Sequence, residues 1–141
     1  NYAIDYDGDS EIDLKGIEDS FASAANYLNN LGWNNSIPCF YKIELNKDIP
    51  LKYLNTSAKK IHSKKSVKFF KKYINNSDFL NEFNDLSVAI VTPDVDIVPE
   101  TNKYEPAYIV FDNYELILNW NRSLRFALAV CTLKDKFSNE L

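Results

Sequence analysis

Apolar positions along this chain repeat with two periods, and these divide it into helices and strands. Ile17, Phe21, Ala24, Leu28 and Leu31 recur at helical spacing and predict a helix over 17–31 with that stripe turned inward. Ser20, Ser23 and Tyr27 fall on its flank. Gly32 suits a left-handed helix stop, and Trp33 can fold back on the helix end. Residues 38–46 alternate, with Tyr41, Ile43 and Leu45 on one face, and predict a strand. Asp48–Pro50 breaks it, and 51–54 predicts a helical turn. The segments 86–92, 106–112 and 114–120 predict three more strands, the last two joined by a tight hairpin turn at Asp112-Asn113. Ahead of these three segments, 63–73 predicts an amphipathic helix that buries Val67, Phe70 and Ile74 and solvates its lysines. Residues 123–137 predict a last helix, with Phe126, Val130, Leu133 and Phe137 inward and Asn121 as N-cap. The expected architecture is one α+β domain over 1–141: a small antiparallel sheet of about three to five strands packed with two main helices.

Composition narrows the class. At 141 residues and 45% apolar, the chain can bury a real core. A net charge of −4 gives no global attraction to nucleic acid. No apolar run approaches the roughly 18 residues that span a bilayer. The chain starts at Asn1, which points to a processed or excised polypeptide, so the absence of a signal peptide is silent on compartment. A single histidine, His62, argues against a zinc site and against a Ser-His-Asp triad. Cys39 and Cys131 have no metal or redox spacing, and each lies in an apolar stretch, which favours two buried free thiols over a disulfide. Seven lysines and His62 lie among aromatics over 57–74; a solvated helix face explains them better than a polyanion site.

The chemistry concentrates at 1–33. Asp5, Asp7 and Asp9 stand at positions one, three and five of a loop, and Glu11, at seven, offers a backbone carbonyl. Hard cations such as Ca²⁺ take six to eight oxygens from such loops. Ser10 stands where an EF-hand loop has Gly, and Gly16 where it has its bidentate Glu. Asp19, in the first turn of the helix, is the candidate for the missing carboxylate.

Two segments together carry a resemblance: YAIDYDGDSEIDL…EDSFASAANYLNNLGW (Tyr2–Trp33) and YELILNWNRSLRFALAVCTL (Tyr114–Leu133). They are similar to the C-terminal half of the lytic murein transglycosylases of the membrane-bound B type. There, an EF-hand-like calcium loop precedes an A-x-x-A-N-Y helix ending Gly-Trp, and a late segment reads R-Y-N-x-S-x-x-Y-A-x-A-V. The middle, residues 47–85, matches only loosely. The resemblance implies the C-terminal portion of a lysozyme-like fold and a role in cleaving peptidoglycan glycan strands in the periplasm or cell envelope of a bacterium. One Glu acts there as acid and then base, and the sugar's own hydroxyl closes to an anhydro end, unlike the two-carboxylate scheme. That Glu lies well upstream of the calcium loop, so the resemblance implies that it belongs to a missing N-terminal catalytic half. Glu44, Glu82, Glu100, Glu105 and Glu115 lie in segments that do not match its motif, and this chain alone is expected to be inactive.

Residue by residue, the resemblance assigns Asp5, Asp7, Asp9, Glu11 and Asp19 to Ca²⁺. It assigns Tyr27, Trp120, Asn121 and Phe126 to the glycan cleft. Trp120 stands for the family's Tyr, Phe126 for another Tyr, and Asn119 for its Arg. Those losses support an alternative, a non-catalytic peptidoglycan-binding module. A paired EF-hand protein is disfavoured, because only one loop is present.

Overall fold

The computed structural model describes residues 2–140, with the side chain of Glu140 excluded. The chain forms two compact units, Asn1–Ser36 and Ile37–Leu141.

In the first unit the acidic loop leads into α1 (Ile17–Asn30), and Gly16 stands at its N-cap. The helix ends as its sequence suggests. Gly32 adopts φ 100°, its N–H reaches the Asn29 carbonyl, and the Trp33 N–H reaches Leu28. These paired bonds satisfy carbonyls that the last turn would otherwise leave open. The inward face of α1 is not the expected one. Ile17 and Phe21 are 73% and 71% exposed, and Asp19 is the helix's buried residue. Residues 2–6 run instead along a polar face. The Ile4 N–H donates to Ser23 Oγ (2.9 Å), and Asn26 Nδ2 donates to the Tyr2 carbonyl (3.0 Å). Hydrogen bonds tether residues 2–6 on the 19–23–26 face; of the apolar stripe, Ile17 and Phe21 are exposed and Ala24, Leu28 and Leu31 half-buried.

The second unit is built on six strands: β1 (Phe40–Leu45), β2 (Leu54–Asn55), β3 (Lys65–Ser66), β4 (Ile74–Asn75), β5 (Ser87–Val91) and β6 (Ala107–Val110). Their order is β2-β5-β6-β1-β4, with β3 pairing with β5 as well. The sheet is mixed rather than purely antiparallel, because β2 runs parallel to β5 with Leu54 opposite Ile90. The long connection between these strands leaves room for the crossover that a parallel pair needs. Val88, Ile90, Ile109, Val67, Phe70 and Leu80 are fully buried and form the centre of the core.

The predicted helix over 63–73 is replaced by β3, a single helical turn α2 (Val67–Phe70) and a 3-10 turn at Lys71–Tyr73. Backbone pairing of Lys65 and Ser66 with Val88 and Ser87 outcompetes helix at the start. Ser66 then caps α2 by accepting the Phe69 N–H. Val67, Phe70 and Ile74 are buried as expected.

The expected hairpin at Asp112-Asn113 is absent. β6 ends at Val110, and α3 (Asp112–Trp120) follows directly. Tyr114, Ile117 and Leu118 are buried at i, i+3 and i+4, a helical set hidden within a run that also alternates. Buried Asn113 anchors the helix start by donating to the Ile37 carbonyl (3.0 Å).

α4 (Leu124–Glu140) is capped by Ser123, not Asn121: Ser123 Oγ accepts the Phe126 N–H (3.2 Å). Its buried face is Leu124, Ala127 and Cys131. Most of the expected stripe is turned outward, with Phe126, Leu133 and Phe137 37%, 54% and 58% exposed and Val130 half-buried. The two cysteines explain the rotation. Cys39 and Cys131 are joined in a disulfide, with Cα atoms 6.0 Å apart, and are not free thiols. Tyr114 adds a buried bond from its hydroxyl to the Leu124 carbonyl (2.8 Å), and burial pushes its pKa above the usual phenol range. Arg125 closes on Asp94 through both Nε and Nη2 (2.9 and 2.7 Å).

Candidate metal centre

The acidic loop turns on its own carboxylates. Asp5 accepts the Gly8 N–H on one oxygen (2.7 Å) and the Ser10 N–H on the other (2.9 Å). Asp7 accepts from Asp9 (3.1 Å), and Asp9 accepts from Glu11 (2.8 Å). Gly8 and Ser10 both have positive φ, 77° and 72°. Gly8 takes that conformation without a Cβ penalty, whereas Ser10 holds it as a strained residue where glycine is the usual choice.

Asp19 reaches back from the first turn of α1. One of its oxygens accepts the Tyr6 N–H (2.7 Å), and the other accepts the Asp13 N–H (2.9 Å). Its side chain therefore joins both ends of the loop to the helix. Asp5, Asp7 and Asp19 each place a carboxylate oxygen within 4.8 Å of the others. Asp9 and the Glu11 side chain are not in that group; both residues are exposed. Asp13, outside the predicted ligand set, continues the every-second-residue acidic pattern from Asp5. It accepts the Lys15 N–H (2.9 Å) and presents its own N–H to Asp19.

The donor set suits a hard cation. All three converging groups are carboxylates, without sulfur or imidazole. A carboxylate has about four lone-pair positions, and the backbone N–H groups use two on Asp19, leaving acceptor capacity for an ion. Three anionic groups so close repel one another unless a cation or protons relieve them.

The Tyr6 and Asp13 N–H groups lower the Asp19 pKa, the bond from Tyr6 having the largest effect; the partial desolvation of the group opposes them. A depressed folded-state pKa contributes stability that is present above the unfolded value of about 4 and is lost as the pH falls through the folded value. In metal-free protein the Tyr6 and Asp13 amide resonances should therefore titrate together with a midpoint below about 4. A midpoint at or above that value would refute the assigned bonds.

The proposed glycan residues lie in separate units. Tyr27 is half-buried on α1, with its ring edge-to-face against Tyr2 at 5.1 Å. Trp120 ends α3 and is 55% exposed, so it terminates a helix and not the expected strand. Asn121 is exposed; its N–H bonds the Ile117 carbonyl and its carbonyl accepts the Ser123 N–H. Phe126, in the first turn of α4, is partly exposed. No glutamate whose side chain is described is buried: Glu44, Glu82, Glu100 and Glu105 are exposed, and half-buried Glu115 pairs with Lys64 (3.2 Å).

The structure thus has a mixed α+β unit with helices on a small sheet, and an acidic loop closed by a helix aspartate. Comparison with known proteins supplies the family. Residues 1–135 match the transglycosylase SLT domain, and the chain belongs to that family. Similar solved structures are lytic transglycosylases. SltB3 of Pseudomonas aeruginosa, in complex with NAG-anhNAM-pentapeptide, is 25% identical with a TM-score of 0.75, covering 97% of this chain and 35% of SltB3. SltB1 of the same organism is 23% identical with a TM-score of 0.72, covering 99% of this chain and 43% of SltB1. Escherichia coli Slt35 in complex with calcium is 20% identical with a TM-score of 0.64, covering 94% of this chain and 38% of Slt35. The last two likenesses speak to the fold alone. This chain thus spans well under half of each of these relatives. No curated protein matched it.

Proposed function

We propose that this chain is the calcium-binding portion of a peptidoglycan lytic transglycosylase and carries part of its glycan-binding surface. The convergence of Asp5, Asp7 and Asp19 carries this reading. Asp9 and the Glu11 carbonyl are the remaining protein ligands in the proposal, giving Ca²⁺ an EF-hand-like loop that locks the start of α1. The calcium complex of Slt35 supports the choice of ion. When bound, the ion supplies charge neutralisation and rigidity. The chain's own Asp19 does the positioning, because it holds Tyr6 and Asp13 at once.

Tyr27, Trp120, Asn121 and Phe126 would contact sugar rings: the aromatic faces by stacking and Asn121 by hydrogen bonding. The pentapeptide-bearing disaccharides in complex with SltB3 support a glycan strand as ligand. The catalytic Glu is proposed to lie in a further, N-terminal half. The exposed stripe of Ile17 and Phe21 is a suitable docking face for it. A periplasmic or envelope location agrees with the disulfide, which persists in oxidising compartments. Among the described residues no helix is long and apolar enough to cross a membrane. A second reading, a non-catalytic peptidoglycan-binding module, draws support from Asn119 and Phe126, which stand where the resembling family has Arg and Tyr.

Co-sedimentation with insoluble peptidoglycan in calcium tests the binding shared by both readings. The chain should pellet with the polymer, and Trp120→Ala should weaken binding about tenfold, the scale of one lost stacking contact. Release of anhydromuramyl products by residues 1–141 alone would overturn the assignment of the catalytic Glu elsewhere. Absence of any pelleting would overturn the glycan reading.

A further inference from the structure

Residues 49–77 contain eight lysines and no Asp, Glu or Arg, whereas the rest of the chain has eight basic and twenty acidic residues. Charge is therefore strongly divided in a protein whose net value is only −4. The long amphipathic helix that would simply spread these lysines into solvent does not form. Short pieces fold instead over an aromatic cluster. Tyr53, from a 3-10 turn at Leu51–Tyr53, meets Phe69 of α2 edge-to-face at 5.5 Å, and Phe69 meets Tyr73 at 6.2 Å.

Those rings gather the cations. Lys65 and Lys72 lie over the same Phe69 ring, their Nζ atoms 5.7 and 4.4 Å from its centre. Lys72 is also 5.0 Å from the Tyr73 ring, and Lys52 is 5.2 Å from that of Tyr53. An ammonium is attracted to the negative face of a ring, so cations from separate segments are held on one surface rather than splayed apart. Lys68, in α2 between Lys65 and Lys72, is exposed, as are the other three, while the three rings are half-buried. Among the described residues none of these four lysines makes an ion pair, unlike Lys64 with Asp112 and Glu115.

We propose that this surface binds a linear phosphodiester polymer without bases, a polyol phosphate. The inference rests on neither the calcium nor the glycan reading, and it falls largely within residues 47–85, where the family resemblance is loose. Gathered ammonium groups repel one another, and a row of repeating negative charges relieves them together, releasing its own counterions. The patch uses lysine alone. Planar carboxylates are matched by arginine forks, whereas lysine serves phosphate as a point charge. Nucleic acid would need rings open to stacked bases, and each of the three rings already carries an ammonium. A bilayer would need apolar groups to bury, and Leu51 is the only large apolar side chain over 49–77 that is exposed.

The test is an NMR titration of the full chain with a glycerol phosphate octamer. The Lys52, Lys65, Lys68 and Lys72 amides should shift saturably, and affinity should fall at least about tenfold between about 50 and 200 mM salt, as release of several counterions requires. The double variant Lys65→Gln, Lys72→Gln should melt like the unmodified chain and bind about tenfold more weakly or worse. The double variant Lys65→Arg, Lys72→Arg should retain binding, and so should Lys134→Gln, which lies outside the patch on α4. Unchanged binding by the glutamine variant, shifts confined to residues 5–19, or equally tight binding of glycerol 1-phosphate would each overturn the proposal. Tighter binding of a thymidine octanucleotide would make the partner a nucleic acid, and capture by phosphatidylglycerol vesicles without binding of the octamer would make it a membrane; either result overturns the proposal as well.

Discussion

Reduction of the Cys39–Cys131 disulfide should destabilise the Ile37–Leu141 unit by about 2–5 kcal/mol, the range for removing a native bridge. The two cysteines are 92 residues apart, so the bond closes most of that unit. In the chain-entropy account a loop of about that length gains close to the upper end of the range, because the unfolded ensemble loses more freedom. The native state contributes as well. Cys131 lies on the buried face of α4 with Leu124 and Ala127, and Cys39 immediately precedes β1, where its carbonyl accepts the Phe111 N–H. Besides the bridge, α4 is held at its start by Tyr114 and by the Arg125–Asp94 pair, and both contacts lie N-terminal to Cys131. In a unit of this size, 3 kcal/mol corresponds to a fall in Tm of about 10–20 °C. Melting with and without reductant measures it, and the double variant Cys39→Ala, Cys131→Ala should melt like the reduced protein. Two thiols reacting readily in the unreduced native protein would rule the bridge out.

Calcium should raise the melting temperature, and Asp19→Asn should abolish the rise. An ion that binds only the folded form stabilises by RT ln(1+[L]/Kd), about 2.7 kcal/mol at a hundredfold excess over Kd. For a chain of this length that corresponds to a Tm shift on the order of 10 °C. Weak extracellular sites have Kd of roughly 10⁻⁴ to 10⁻³ M, so millimolar and higher calcium is the range to scan. Asp19→Asn keeps the shape and an oxygen acceptor but removes the charge from the group that joins Tyr6, Asp13 and the Asp5–Asp7 pair. Asp5→Ala should act in the same direction and also loosen the turn, since Asp5 accepts from Gly8 and Ser10. Asp9→Ala discriminates more finely. Asp9 stands outside the converged trio, so a complete loss of the calcium response there would show that the ion draws it in. An unchanged melting curve across the calcium range in the unmodified chain would end the metal reading.

Local chemistry made much of this protein legible in its residues. Alternating aspartates write a loop that folds on its own carboxylates, because each Asp can accept from an N–H two or three residues ahead. Gly32 writes a helix end, because it tolerates positive φ. The β-branched run at 87–91 writes a buried strand. Asp19, in the first turn of α1, faces back along the chain and bonds amides 6 and 13 residues upstream. These features depend on near neighbours.

What the tertiary structure alone decided depends on distant partners. YELILNW carries both a strand period and a helical one, and the bond from Asn113 to Ile37 together with burial of Tyr114, Ile117 and Leu118 settled it as helix. The face that α4 buries was set by a cystine linking residues 92 apart, which no periodicity encodes. The apolar stripe of α1 was real, yet hydrogen bonds from residues 2–6 claimed another side of the helix. Periodicity says that a helix has an apolar side; only the chain packed against it decides which side is buried.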